Sequence, residues 1–427
     1  MNRKLLSLLL LMAMLLSLPC FTSAEEPVTI QFWQYSYDTK VALMDELIAE
    51  YCAEHPNVTI EHCVFPYDSY WQKLAAALTT MENSGVGPNI INFHNGKFLD
   101  FIRQGVIIPF PEDVISAEQI ETEYCELVQN LCQYDGTYYY LPMGVRDYAL
   151  FYNKALLEAG GYTVEDLKGI SWERLYEIAE DLTQWNGDEL LVEGITMEKT
   201  GRLPHRFIIH MSQLGGTTTT PDYKTATLNS PEALQALNTL IDAYKVKKVG
   251  VTGFCTIDYT AFNTGKAALH IDGSFRAATF NGQDLDFEWG VVELPSVNGS
   301  NKNIGDLWGN AVTRYTTGAE LEASKDFLKW LYSDENMERW TFETYEIGSK
   351  NSMLTNEKIK EDPILSVFLE GMGTALSPLD IQDYQYTDYF CDIFDLAIGG
   401  DMDPAEALET VNRKYQNVLD DFWYEFE

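Results

Sequence analysis

The chain has 427 residues, 46% hydrophobic and 22% charged, the balance of a soluble globular protein. At roughly 150 residues per domain, that length allows two or three domains and a large core. Its 29 Lys and Arg stand against 65 Asp and Glu, a formal charge of −36, which disfavours phosphate backbones and anionic lipid surfaces and sets nucleic-acid binding aside.

The first segment reads as an export signal. Asn2-Arg3-Lys4 is a short positive region, Leu5 to Leu18 is almost wholly apolar, and Thr22-Ser23-Ala24 offers a small-residue cleavage site, so residues 1–24 are a signal peptide and the mature chain begins at Glu25. Cys20 raises a competing reading, a lipid-modified first residue, but Pro19 stands where such sites want a small residue; cleavage after Ala24 is favoured. No later stretch approaches the roughly 18 apolar residues of a membrane span. Six further cysteines contain no CxxC. Most read as small buried apolar residues, and Cys52 with Cys63 is the pair to test for a bridge.

Val28 to Trp33 reads as a strand, rich in β-branched and aromatic residues. A helix follows from Asp38, with Val41, Met44, Leu47, Ile48 and Tyr51 at helical spacing, and His55-Pro56-Asn57 stops it. Val58 to Val64 is the next strand. A second helix is expected to open on Asp68 as N-cap, with Trp71, Leu74, Ala75 and Leu78 on its apolar face, and to break at Gly85 to Pro88 before the strand Ile90 to Phe93. Such alternation implies a parallel sheet flanked by helices. Asp135-Gly136 signals a hairpin, and Ala149 to Tyr152 another strand. Ser171, Ser230-Pro231 and Asp403-Pro404-Ala405-Glu406 open further helices. Two α/β lobes are the economical reading.

Several local patterns coincide in order: Ile30-Gln31-Phe32-Trp33 after the export signal, His55-Pro56-Asn57-Val58-Thr59-Ile60, Tyr70-Trp71-Gln72-Lys73-Leu74, Tyr139-Tyr140-Leu141-Pro142 with Phe151-Tyr152-Asn153-Lys154, Ser171-Trp172-Glu173-Arg174-Leu175, and Phe262 to Ala268 with Asp272-Gly273-Ser274-Phe275. Together they resemble the extracellular solute-binding proteins of bacterial ABC importers, in the carbohydrate-binding group that includes maltose-binding protein. The resemblance implies a two-lobed α/β fold of the periplasmic-binding-protein type II, each lobe a sheet flanked by helices, with a hinge between them. It places lobe 1 at 25–142 plus 295–335 and lobe 2 at 143–294 plus 336–427, with a first crossing near Leu141 to Val145 and a return near Leu294-Pro295. It implies a monomeric, exported receptor, periplasmic or at the outer face of the membrane, whose partners are a sugar and the permease subunits of the importer. Pro88-Asn89 and Phe275 depart from the family's frequent Pro-Asp and Trp.

A sugar site wants aromatic faces for pyranose C–H surfaces and polar groups for the hydroxyls, and 13% of the chain is aromatic. In open α/β sheets ligands bind beyond the carboxyl ends of strands, which selects Gln34, Tyr35, His94 and Asn95. Tyr70 joins them from its motif. Arg146 and Asp147 follow the crossing, and Asp272, Phe275 and Arg276 repeat the pairing of charge with an aromatic; a mutual salt bridge between the Arg and the Asp is the alternative. Gly305 to Asn310 reads as a cleft loop carrying Asp306 and Trp308, or as a turn with a packed Trp, and Tyr345 is a further candidate by resemblance. No catalytic residue, metal or cofactor is expected: HExxH, GxSxG and the Walker A pattern are absent, and His205 and His210 lie off one helical face. A secreted glycoside hydrolase is the enzymatic alternative, although 65 acids make pairs such as Asp284/Asp286 and Asp380/Asp383 uninformative. A polyamine-type cation receptor is the other alternative, which Arg146 and Arg276 oppose. An adhesion module would show β-rich repeats, and none is visible.

Overall fold

The computed structural model describes residues 26–199, 202–283, 285–376 and 383–426. The export signal, Cys20, Asp284 and Asp380 lie outside them. Three parallel strands open the chain in the expected alternation: β1 (Val28–Tyr35), β2 (Val58–Phe65) and β3 (Ile90–His94), with helices Asp38–Glu54 and Tyr67–Ser84 between them. The second helix starts one residue before Asp68, with Pro66 as N-cap, because proline is pre-set for the extended turn that precedes a helix. Its buried stripe is Tyr70, Leu74, Leu78 and Met81, at most 5% exposed, and Trp71 lies beside that stripe rather than on it.

Next comes the hairpin, β4 (Gln133–Tyr134) and β5 (Thr137–Tyr138), turned by Asp135 and Gly136 at φ 49° and 75°. β6 (Leu141–Asn153) is one continuous strand of 13 residues, where the sequence suggested a crossing followed by a separate strand. The remaining strands are β7 (Gln184–Asn186), β8 (Glu189–Ile195), β9 (Ala267–Gly273), β10 (Trp289–Val292), β11 (Asn303–Val312), β12 (Ile347–Gly348) and β13 (Ala375–Leu376). The main sheet runs β2-β1-β3-β11-β6-β9-β8-β7.

β6 organises the molecule. Its first half, to Asp147, is paired with β11 and β12, and its second half, from Tyr148, with β9 and β10. Both neighbours are exchanged at one point, so two halves of the sheet, each covered by its own helices, are joined through an unbroken strand. This is the two-lobed α/β architecture. In one half, Phe32 packs edge-on against Phe327 of helix Gly318–Leu331, which also meets Tyr51 of helix Asp38–Glu54. In the other, Trp172, Phe151, Phe262 and Phe280 are buried. Helices Trp172–Leu182 and Pro231–Ile241 begin where expected, Ser171 and Ser230 each accepting a backbone N–H in the first turn, and Asp403 accepts those of Ala405 and Glu406 ahead of helix Pro404–Phe426. Helix Asp334–Thr344 leans on helix Asp38–Glu54 through Arg339, which pairs with Glu46 and with Glu50.

Among the described residues no disulfide forms, Cys52 and Cys63 included. None of their helices is long and apolar enough to cross a membrane.

Candidate functional site

The segment Gly305 to Asn310 is not a loop. It forms the middle of β11, buried throughout, and its glycines serve close packing rather than flexibility. A Cβ on Gly305 would come within 2.7 Å of Leu127, and one on Gly309 within 2.4 Å of the Tyr140 ring. Strand alternation then does the work that a loop was expected to do. Asp306 and Trp308, two apart, share one face of β11. Asp306 stands opposite Arg146 on β6, and Trp308 opposite His94 on β3. One strand therefore sets an ion pair and an aromatic side by side.

Around Trp308 the aromatics form a floor. Its ring centroid lies 3.9 Å from that of Tyr35 at the carboxyl end of β1, and 5.6 Å from that of Trp71, nearly parallel at 26°. Tyr67 meets both indoles edge-on. The Trp71 indole N–H is buried without a hydrogen-bond partner among the described residues. Beside it opens a cavity of about 530 Å³, lined by Tyr67, Trp71, Gln72, Lys97, Asp100 and Gln104 among others. A much smaller one lies under the floor, between Gln34, Tyr35, Trp308 and Asn310. A space of about 1070 Å³ between Leu127 and Trp423 sits against the opposite face of β11, the face of Gly305, and belongs to a different surface.

The charged groups follow from the same register. Arg146 donates through Nε to Asp306 and lies 3.9 Å from Glu346. Burial would raise the Asp306 carboxyl, but Arg146 and His94 outweigh it and hold the group well below the usual carboxylate range. Glu346 pairs with buried Lys40 and accepts from the Trp340 indole at 3.1 Å. Across the crossing, Asp272 at the end of β9 accepts from Arg202 at 2.6 Å and Arg276 at 2.7 Å, which keep it ionised against the cost of complete burial. Phe275 opens helix Phe275–Gly282, and the Tyr37 hydroxyl reaches it from the loop after β1, donating to the Phe275 carbonyl at 3.1 Å and lying 2.8 Å from Thr279 Oγ1. His205 stacks on Tyr148, and burial lowers it to about 3, so it is neutral.

The structure brings together Gln34, Tyr35, His94, Arg146, Asp306 and Trp308, and across from them Asp272, Phe275 and Arg276. Four other candidates are placed differently. Tyr70 is fully buried and gives its hydroxyl to the carbonyls of Trp33 and Asn92, a core role. Asn95 is spent on the Leu307 backbone amide. Asp147 follows Arg146 on a strand and so points to the other face; it is fully buried against Asn303, its carboxyl pushed well up by burial, and the expected alternative of a salt bridge with Arg146 is not formed. Tyr345 accepts from Asn281 at the far end of helix Phe275–Gly282. Tyr37, Lys40, Tyr67, Trp71, Arg202 and Glu346 are contributors that the sequence reading passed over. Only Trp71 had a visible signal there, as the neighbour of a buried helical stripe.

Among the described residues no three His, Cys, Asp or Glu side chains are grouped so as to hold a metal ion.

Similar proteins have the same architecture. The chain is 23% identical over 325 residues to a lactose-binding protein of Rhizobium radiobacter, covering 75% of this chain and 74% of that one. To an arabinooligosaccharide-binding protein of Halalkalibacterium halodurans it is 24% identical over 333 residues, 74% of this chain and 70% of that one. An ABC substrate-binding protein from Listeria monocytogenes, solved in complex with cycloalternan, superposes with a TM-score of 0.77 at 20% identity, over 92% of this chain and all of the other. The profile of the bacterial extracellular solute-binding proteins matches residues 46–367, and the chain belongs to that family.

Proposed function

We propose that the protein is the saccharide receptor of an ABC importer: it captures an oligosaccharide by closure of its two lobes outside the cytoplasmic membrane and delivers it, as a monomer, to the permease subunits. The observation that carries this reading is the floor of Tyr35, Trp308 and Trp71 beside the Arg146–Asp306 pair, which itself sits next to the point where β6 exchanges its neighbours. Indole faces cover the C–H surface of a sugar ring, and the carboxylate and guanidinium take and give hydroxyl hydrogen bonds. The saccharide names of the relatives support the same class of ligand.

The proposed division is lobe 1 at 25–142 plus 295–335 and lobe 2 at 143–294 plus 336–427; the packing of helix Asp334–Thr344 on helix Asp38–Glu54 favours extending the first to Tyr345. Export through residues 1–24 and cleavage after Ala24 belong to the same proposal. A glycosidase would need a carboxyl kept protonated as general acid beside a second carboxylate. Asp306 and Asp272 are both held ionised by arginines, and Asp147 faces away from the floor, which favours binding over hydrolysis. A polyamine would meet Arg146, Arg202 and Arg276.

Closure is tested by small-angle scattering with and without a saturating ligand. A smaller radius of gyration on binding is expected. Unchanged dimensions with a tightly bound saccharide would overturn the closing mechanism.

A further inference from the structure

Three guanidinium groups converge on one ring. The Cζ atoms of Arg146, Arg202 and Arg276 lie 4.8, 5.4 and 5.4 Å from the Phe275 centroid. In a chain with 65 acids and 29 bases this is a local concentration of cations, of which Asp306 and Asp272 are the paired carboxylates. Arg202 and Arg276 share one carboxylate, and each spends only its Nε on it. Asp272 has little left to offer, since it also accepts from the Gly273 amide at 2.8 Å and lies 3.3 Å from His270 Nε2. The other acid beside Arg202, Asp258, is occupied with the backbone amides of Arg202 and Tyr259. Among the described residues the Nη groups of Arg202 and Arg276 therefore have no hydrogen-bond acceptor.

The two sides of the cleft thus differ in kind. The floor side supplies acceptors, Asp306 and Gln34, as well as donors. On the Phe275 side the charged groups with hydrogen-bonding capacity to spare, the Nη groups of Arg202 and Arg276, are donors, and the acceptors beside them are the neutral hydroxyls of Tyr148 and Tyr259. A neutral hydroxyl placed there would accept from a guanidinium but find no charged acceptor for its own proton, a poorer match than a carboxylate once the cleft closes and water leaves. A carboxylate accepts only, and it matches the planar fork of arginine.

Resting on the saccharide reading above, we propose that the solute is an acidic oligosaccharide, with one uronate carboxylate bound by the Nη groups of Arg202 and Arg276 and its neighbouring rings stacked over Trp308 and Trp71.

The test is calorimetry of the full mature chain with uronate-containing di- to tetrasaccharides and with the same compounds after reduction of each carboxyl to a primary alcohol. The acid form is expected to bind at least about tenfold tighter than its reduced twin, a preference that weakens as salt is raised. Arg202→Gln should remove most of that preference, lowering affinity for the acid form by a clearly larger factor than for the reduced twin. Arg202→Lys, which keeps the charge but loses the fork, should fall between. Reduced and acid forms binding equally well, or neutral sugars binding tighter, would overturn this inference and leave the saccharide reading standing. Binding of no saccharide of either kind would overturn both.

Discussion

Replacing Trp71 by alanine separates a binding platform from a packing residue more cleanly than replacing Trp308. Trp308 is 6% exposed in a central strand, so its truncation costs the fold about 3–5 kcal/mol whatever its role. Trp71 is half-buried, on the exposed side of its helix, and stacks on Trp308 with its indole N–H unpartnered among the described residues. A sugar ring over the indole gains about 0.5–1.5 kcal/mol from stacking. It hides roughly 50 Å² of apolar surface, worth about 1.2 kcal/mol at ~25 cal/mol per Å². The expected loss is about 1.7–2.7 kcal/mol, or roughly 20- to 100-fold in Kd, with a smaller fall in melting temperature than Trp308→Ala produces. Calorimetry with the tightest saccharide found, beside thermal melts of both variants, measures it. A Kd within twofold of the parent for Trp71→Ala would remove the aromatic floor from the binding site.

Other expectations bear on closure and on the charges beneath the floor. Tyr37→Phe deletes the hydroxyl that reaches the Phe275 carbonyl and Thr279, so the closed form should lose about 1–2 kcal/mol, read by stopped flow as faster ligand release; an unchanged off-rate would mean that Tyr37 does not latch the lobes. Lys40→Met leaves buried Glu346 with only Arg146, 3.9 Å away, as its cation and should destabilise by up to about 3–5 kcal/mol in urea denaturation, and adding Glu346→Gln should restore most of it, because the amide still accepts from Trp340. No rescue would show that Lys40 acts through packing alone. Burial raises Glu193 from 4.5 to about 8, although the Val251 amide bonds it, so the folded chain keeps a proton that the unfolded chain releases between those values. Stability is therefore full below about pH 4.5 and lost as pH rises through about 8; Glu193→Gln should flatten that slope by a few kcal/mol, and an unaltered pH profile of stability would refute it.

Local signals carried the helices. Ser171, Ser230 and Asp403 announce helix starts because a cap is a contact within four residues, and Asp135-Gly136 announces its hairpin for the same reason. What failed was tertiary. Gly305 and Gly309 looked flexible, yet they are there because Leu127 and Tyr140 approach the strand too closely for a Cβ, and nothing local to 305–310 reveals neighbours about 180 residues away. Reading that segment as a strand would have placed Asp306 and Trp308 on one face, and reading 141–153 as one strand would have separated Arg146 from Asp147. Helical spacing of Tyr70, Leu74, Leu78 and Met81 could equally have assigned Tyr70 to the core and released Trp71. Arg202, Lys40 and Glu346 had no such signal. Their roles come from partners 70 and 306 residues away in the chain.

The most direct test of the central claim is isothermal titration of the mature chain with a panel of oligosaccharides, neutral and acidic. At least one should bind at micromolar Kd or tighter with one-to-one stoichiometry, each injection peak returning to baseline. Heat that continues after each injection would indicate turnover and a hydrolase; no binding across the panel would contradict the receptor assignment of the site.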